Sequence, residues 1–401
     1  MDADRVIVVG AGPVGLTVAF TLASHGVPVT VIEAEHGIVR SPRALVYHPP
    51  TLEALGALGL MPDLEAAGVL KQEQEFRDAR GNVLAKLDYR HLEGRTKYPY
   101  NLHLGQDVLA DIVLAHFERL PRTEVLWGHR LKAIEQSDSR VTAIVETAEG
   151  ERRLNARWLV GADGASSGTR QALGLGFAGR TWPVRFVATN VVYDFEAEGY
   201  ARANFVIDPD HWAIIVKIND DNFWRLTYGE SGDLPADSVA ERVEEKYAHF
   251  MRGGAPYEIK AVSPYNVHER AAERFRIGRV LLAGDAAHAC NPCGGYGLTS
   301  GLLDAVALGY PLAAVFLGKQ DEAILDRYAG ERRAIFLERT SPAASENLRR
   351  FQERDPARKE EDLERFRRLR DDPEFNRAAG SFSFSLASPE LATRDWLKGA
   401  G

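Results

Sequence analysis

Short β-branched runs, each closed by a glycine or an acid, punctuate this chain. Arg5-Val-Ile-Val-Val-Gly10 and Val29-Thr-Val-Ile-Glu33 lack polar alternation, the pattern of strands buried on both faces of a parallel sheet. Residues 13–25 between them have helical spacing, so the three predict a right-handed βαβ unit. Residues 52–60 and 107–120 place apolar side chains three and four apart and predict helices. Residues 153–161 and Arg279-Val-Leu-Leu-Ala-Gly284 predict two more strands.

Between residues 181 and 267 the pattern changes. Phe186-Val-Ala-Thr-Asn-Val-Val-Tyr193, Ala203-Asn-Phe-Val-Ile-Asp208, Trp212-Ala-Ile-Ile-Val-Lys-Ile218 and Phe223-Trp-Arg-Leu-Thr-Tyr228 are strand-like runs. Turn residues at 208–210 and 219–222 separate them, which predicts an antiparallel sheet of hairpins inserted into the first unit. Residues 68–99 are expected to add a strand pair. Beyond Gly318, residues 321–339 and 346–370 are rich in Glu, Arg, Ala and Leu and predict helices, the second ended by Asp371-Asp-Pro373. These helices are read as packing elements or as contacts in a homodimer.

With 401 residues the chain is long for one core. Its 45% hydrophobic and 26% charged residues are those of an ordinary globular protein. A net charge of -8 argues against nucleic acid or an anionic membrane as the main partner. The first apolar run is broken by glycines and has no basic leader, and no apolar stretch reads as approaching the ~20 residues of a membrane helix. Cys290 and Cys293 are the only cysteines, so a reducing cytoplasm is expected. Two thiols complete no zinc site, and no metal is expected. Their CxxC spacing lies in a Pro- and Gly-rich loop rather than in a redox context, and reads as small residues filling a turn.

Three glycine-bearing turns carry the chemistry. In Gly10-Ala-Gly12-Pro13-Val14-Gly15 the first glycine allows a tight turn, the second lets backbone approach a pyrophosphate, and the third packs helix on strand. Amides at the helix start then face the phosphates. Glu33, 18 residues after Gly15, suits a ribose-binding acid, with Ala34 beside it. That unit fits NAD or FAD equally. Asp163-Gly164 closes a second strand, and Gly284-Asp285 a third. A carboxylate at 285 suits a polyol such as ribityl. Pro292-Cys-Gly294-Gly295-Tyr-Gly297-Leu298 leads into a helix whose amides suit an anionic ring edge. Three turns over most of the chain imply one extended dinucleotide, which favours a flavin.

On these motifs the chain resembles the class A flavoprotein aromatic monooxygenases, the para-hydroxybenzoate hydroxylase-like group. The matching residues are Gly10–Gly15, Asp163-Gly-Ala-Ser-Ser-Gly-Thr-Arg170 and Gly284-Asp285, and the resemblance extends to about residue 320. It implies an α/β fold: a Rossmann-like FAD-binding domain (residues 1–70, 100–180 and 268–320), a mainly antiparallel β-sheet substrate domain (71–99 and 181–267) and a C-terminal helical region (321–401). It further implies that Glu33 binds the adenosine ribose, Asp285 the ribityl chain, Arg43 and Gln106 the polar tail, and Pro292 with 294–297 the isoalloxazine. Asp163 and Arg170 fall on a motif tied to both FAD and the pyridine nucleotide. Tyr296 and Ser300 depart from residues common in relatives, and the Trp-x-Trp-x-Ile motif of flavin halogenases is absent.

The resemblance implies NADPH or NADH as electron donor, a flavin C4a-hydroperoxide formed with O2, and transfer of oxygen to a phenolic or N-heteroaromatic ring. The protein supplies dryness, orientation and electrostatics. A deprotonated phenol is the better nucleophile, so a base is expected; His48, Tyr47, Tyr193 and His211 are candidates. Strand alternation puts Phe223, Arg225 and Thr227 on one face, where Arg225 serves either as a substrate anchor or as an exposed strand charge. Two alternatives stay open here: a flavin reductase or oxidase without oxygen insertion, and a flavin-binding protein without turnover.

Overall fold

The computed structural model describes residues 4–40, 44–251 and 253–398. Its first sheet has six strands in the order Arg276–Ile277, Val280–Leu282, Trp158–Gly161, Val6–Val9, Val29–Ile32 and Thr123–Leu126. All pair in parallel except the first two. The period-2 alternation of a strand explains how it is covered. Val6 and Val8 point into a core shared with the helices Pro13–Ala23, Gln106–Phe117 and Tyr296–Phe316. Ile7 and Val9 point the other way, into a core with Leu131, Val141, Val145 and Leu154. These last belong to a three-stranded meander, Arg130–Gln136, Val141–Thr147 and Gly150–Ala156. The predicted strand at 153–161 is thus two strands, the end of that meander and Trp158–Gly161.

The second sheet has eight strands, in the order His288–Ala289, Glu258–Ala272, Phe177–Val192, Phe223–Ser231, Ala213–Lys217, Ala203–Ile207, Glu73–Asp78 and Val83–Asp88. Every pairing is antiparallel except that of Ala203–Ile207 with Glu73–Asp78. Phe177–Val192 and Glu258–Ala272 run through residues 180 and 267, so continuous strands of the eight-stranded sheet cross the expected unit boundaries. One face is sealed by Val239–Phe250, whose Val239, Val243, Tyr247 and Phe250 pack on Val187, Trp224, Leu226 and Tyr228. This helix, absent from the expected hairpin layout, has its apolar residues at helical spacing.

The C-terminal residues are helical, with a break that the sequence reading missed. Ser341–Phe351 stops where Phe351 is buried, and Pro356–Asp371 restarts behind Asp355, which accepts bonds from the amides of Ala357 and Arg358. Pro356–Asp371 packs on Val83–Asp88.

Tyr296–Phe316 corrects the expectation about apolar length. It has 21 residues and is long and apolar enough to cross a bilayer, yet it is almost wholly buried within the protein. Gly297, Gly301 and Gly309 broke its apolar run in the sequence, while burial on all sides by protein explains its composition.

Candidate active site

A cavity of about 920 Å3 lies between the two sheets, lined from the first turn by Gly10, Gly12, Pro13 and Val14, and at the far end by Asp285, Pro292, Gly294, Gly295, Gly297 and Leu298. Glu33, Ala34, Gln106 and Asp163 also line it. Gly15 does not reach it; a Cβ there would run into the Gly10 carbonyl, so its role is packing helix against turn. Gly10, at φ +105°, would put a Cβ 2.5 Å from the Ala162 oxygen. Arg43 lies outside the described residues.

Each turn is held by its own bonds. Glu33 accepts from the amides of Ala11 (2.8 Å) and Glu35 (3.0 Å). Asp163 accepts from Ser167 Oγ (2.5 Å) and from the amide and hydroxyl of Thr169 (2.9 and 3.0 Å), capping the short helix Gly168–Ala172. Arg170 does not line the cavity. Its guanidinium donates to the carbonyls of Ala286 (3.0 Å) and Ala165 (2.7 Å) and lies 3.7 Å over the Phe177 ring. It therefore ties the second glycine turn to the third.

Gly284 itself does not line the cavity, and its turn rests on a buried charge network that the sequence reading did not find. Asp304, fully buried in Tyr296–Phe316, accepts from the Gly284 amide (3.0 Å), His288 Nε2 (2.7 Å) and Arg332 Nε (2.7 Å). Burial pushes the Asp304 carboxyl up, but His288 and Arg332 together hold it below its usual range. A single carboxylate in an otherwise apolar helix was the available signal.

His48 also supports rather than lines the cavity. Its Nε2–H donates to the Gly294 carbonyl (2.8 Å), and its ring lies 5.4 Å from that of Tyr296. Burial lowers its pKa to about 4, the Gly294 bond opposes this, and Lys71 adds to it. Tyr193 and His211 are not brought to the cavity. Tyr193 packs in the cluster beneath the eight-stranded sheet, its hydroxyl donating to Glu198. His211 sits against His249, with ring centroids 3.8 Å apart. Tyr47 is buried in the helical core. Cys290 and Cys293 are unbridged, and burial holds both thiols well above their ordinary pKa.

The sheet face over the cavity is organised in rows. Arg225 is in register with Val216, Val216 with Ala203, and Asn204 with Glu75, which puts Ala203 beside Gln74. All four lining residues Arg225, Val216, Ala203 and Gln74 face the cavity. Thr227, Ile214 and Phe205 form the next row. Arg225 is 9% exposed, its Nε donates to Asn190 Oδ1 (3.0 Å), and burial lowers its pKa to about 10. It stays cationic at neutral pH. Lys71, unremarked in the sequence, lines the cavity three residues before Gln74 and is 3% exposed.

These features fit a flavin dinucleotide: a carboxylate at one end, bare backbone at the glycine turns, and a proline-glycine loop opposite an apolar sheet face. The FAD binding domain family matches residues 4–340. Para-nitrophenol 4-monooxygenase of Pseudomonas sp. (strain WBC-3) is 44% identical over 378 residues, covering 94% of this chain and 92% of that protein. 6-Hydroxy-3-succinoylpyridine 3-monooxygenase of Pseudomonas putida (strain DSM 28022 / S16) is 40% identical over 354 residues, covering 88% and 90%. The crystal structure of p-nitrophenol 4-monooxygenase PnpA from Pseudomonas putida DLL-E4 superposes with a TM-score of 0.93 at 41% identity, covering 95% of this chain and 98% of that one. With the glycine turns, the ring loop and these relatives in agreement, the chain belongs to the class A FAD-dependent aromatic monooxygenases.

Proposed function

We propose that this enzyme hydroxylates a single-ring phenol or hydroxypyridine that carries a second polar substituent across the ring. The observation that carries the reading is the row Arg225, Val216, Ala203 and Gln74: a cation at one end, then aliphatic surface, then polar groups. The three strand steps separating Arg225 from Gln74 span about 14 Å between backbones. Long side chains reaching inward leave room for one ring. The substrates named for the two relatives, a nitrophenol and a hydroxypyridine, have this layout.

FAD, reduced by NADH or NADPH, supplies the activation of O2 and the electrophilic oxygen. The residues of this chain bind and orient. We assign Glu33 and Ala34 to the adenosine ribose, Gln106 to the polar tail and Asp285 to the ribityl chain. Pro292, Gly294, Gly295, Gly297 and Leu298 are assigned to the ring. His48, neutral above about pH 5, fixes the Gly294 carbonyl at that loop. Arg225 takes the substituent remote from the hydroxyl, where a nitro or carboxylate oxygen pair matches a guanidinium. Phe205, Ile214 and Val216 keep water from the ring. Residues 1–70, 100–180 and 268–320 form the flavin unit in this reading, and 71–99 with 181–267 the substrate unit. Two unbridged thiols support a cytoplasmic enzyme.

Stopped-flow flavin reduction with NADH and NADPH, screened against substituted phenols and hydroxypyridines, tests the proposal. A cognate ring accelerates flavin bleaching and gives hydroxylated product. Acceleration by none of them, with substrate-independent oxygen consumption, would select the oxidase or reductase reading.

A further inference from the structure

Lys71 ends the strand Val69–Lys71 and is buried, yet among the described residues no carboxylate pairs with it. Its ammonium position lies 5.8 Å from the centre of the Tyr89 ring, and its neighbours His48 and His103 are themselves basic. A buried lysine facing a cavity without a counter-ion is unusual, because desolvating its charge is costly unless an anion compensates. Here an anion can arrive from the cavity that Lys71 lines. Lys71 stands beside His48, which holds Gly294 in the ring loop, and lies three residues before Gln74, the end of the row opposite Arg225. With the remote substituent held by Arg225, the phenol oxygen falls at the Lys71 end of the row.

We infer that Lys71 Nζ is the group that takes the substrate's hydroxyl proton and then holds the resulting phenolate as a buried ion pair. This deepens the substrate reading above and rests on it. In the step, the phenol O–H bond breaks and an N–H bond forms on Nζ. The neutral amine becomes an ammonium and the phenol a phenolate, with no change in total charge. The amine is available because burial lowers the Lys71 pKa to about 7. The groups around it do not titrate in the same range. Burial puts His48 at about 4 and His103 well below its ordinary value, and raises Tyr89. The four base candidates named from sequence are thereby replaced by a residue that strand periodicity alone does not single out.

The test is binding of para-cresol to the FAD-loaded enzyme, read from perturbation of the flavin absorbance and from the ultraviolet band of the phenol. Its free pKa lies near the ~10 of tyrosine. In the wild type one proton moves from ligand to Lys71, so affinity is flat between about pH 7.5 and 9 and the bound ligand shows the phenolate band. Lys71→Arg keeps the cation but accepts no proton. Its affinity should rise about tenfold per pH unit over the same range, as expected when binding releases one proton. Lys71→Met should bind at least about tenfold more weakly, with a neutral-phenol band, while retaining FAD. Equal pH slopes in wild type and Lys71→Arg, or a phenolate band with undiminished affinity in Lys71→Met, would overturn the assignment. Failure of every phenol to perturb the wild-type flavin would instead remove the substrate reading, and this assignment with it.

Discussion

Replacing Asp304 by Asn keeps the side chain's shape and removes the charge at the centre of the network under Gly284. The carboxylate has three donors at 2.7–3.0 Å, and the change strands the Arg332 cation, 1% exposed, among neutral acceptors. Breaking one side of a buried ion pair costs about 3–5 kcal/mol. Arg332 keeps the Leu386 carbonyl at 2.6 Å and Ser388 Oγ at 3.2 Å, so the lower end, about 3 kcal/mol, applies. With roughly 2.1 cal/mol/K of unfolding entropy per residue, a chain of 401 residues loses about 4 °C in Tm. The folded-state pKa of Asp304 is depressed, so its contribution is present above the unfolded value of ~3.9 and lost only as pH falls further. The deficit should therefore be constant from pH 6 to 9. Thermal unfolding followed by circular dichroism and by release of flavin fluorescence measures both stability and retention. Asp304→Leu with Arg332→Met should recover stability to within about 1 kcal/mol, since apolar replacement of a buried pair is often neutral. It should not restore tight FAD binding, because the Gly284 amide still lacks its acceptor. An unchanged Tm and FAD affinity in Asp304→Asn would refute the reasoning.

Other consequences follow from single residues. Arg225→Leu should raise KM for a substrate with an anionic or nitro substituent about tenfold to a hundredfold, the worth of a charge-assisted pair; an unchanged KM means the guanidinium does not meet substrate. His48 is held neutral in the fold, with a pKa of about 4 against ~6.5 unfolded. Stability should thus fall by up to about 1.4 kcal/mol per pH unit as pH drops from 6.5 to 4, and His48→Gln should flatten that slope. A parallel slope in the variant would assign the acid sensitivity elsewhere. Cys293, fully buried and kept as a thiol by that burial, should resist alkylation at pH 8 until the protein unfolds; labelling of Cys293 in the native enzyme within minutes would contradict this.

Local pattern revealed what depends on a few neighbouring residues. The strands Val6–Val9 and Val29–Ile32 and the glycine turn between them are readable because backbone sterics and period-2 burial act over a handful of positions. The face on which Arg225 and Thr227 sit followed from the same alternation. The helix Val239–Phe250 was overlooked amid flanking strand signals, although its spacing was present. What stayed hidden was non-local. Tyr193 and Lys71 are each one polar residue near a strand end, and only the sheet order decides which meets the cavity. Arg170 and His48 looked like site residues and prove to brace two of its loops. The Asp304 network joins residues 284, 288, 304 and 332, and no spacing rule connects them.

The central claim is that one oxygen atom of O2 enters a small phenolic ring in this cavity. Turnover under isotopically labelled O2 with NADH or NADPH, using para-nitrophenol and a hydroxypyridine as trial substrates, tests it most directly. The account predicts a product carrying one labelled oxygen for each nucleotide oxidised, with incorporation depressed in Arg225→Leu. Nucleotide oxidation that yields only labelled hydrogen peroxide, with both rings recovered unlabelled, would contradict it.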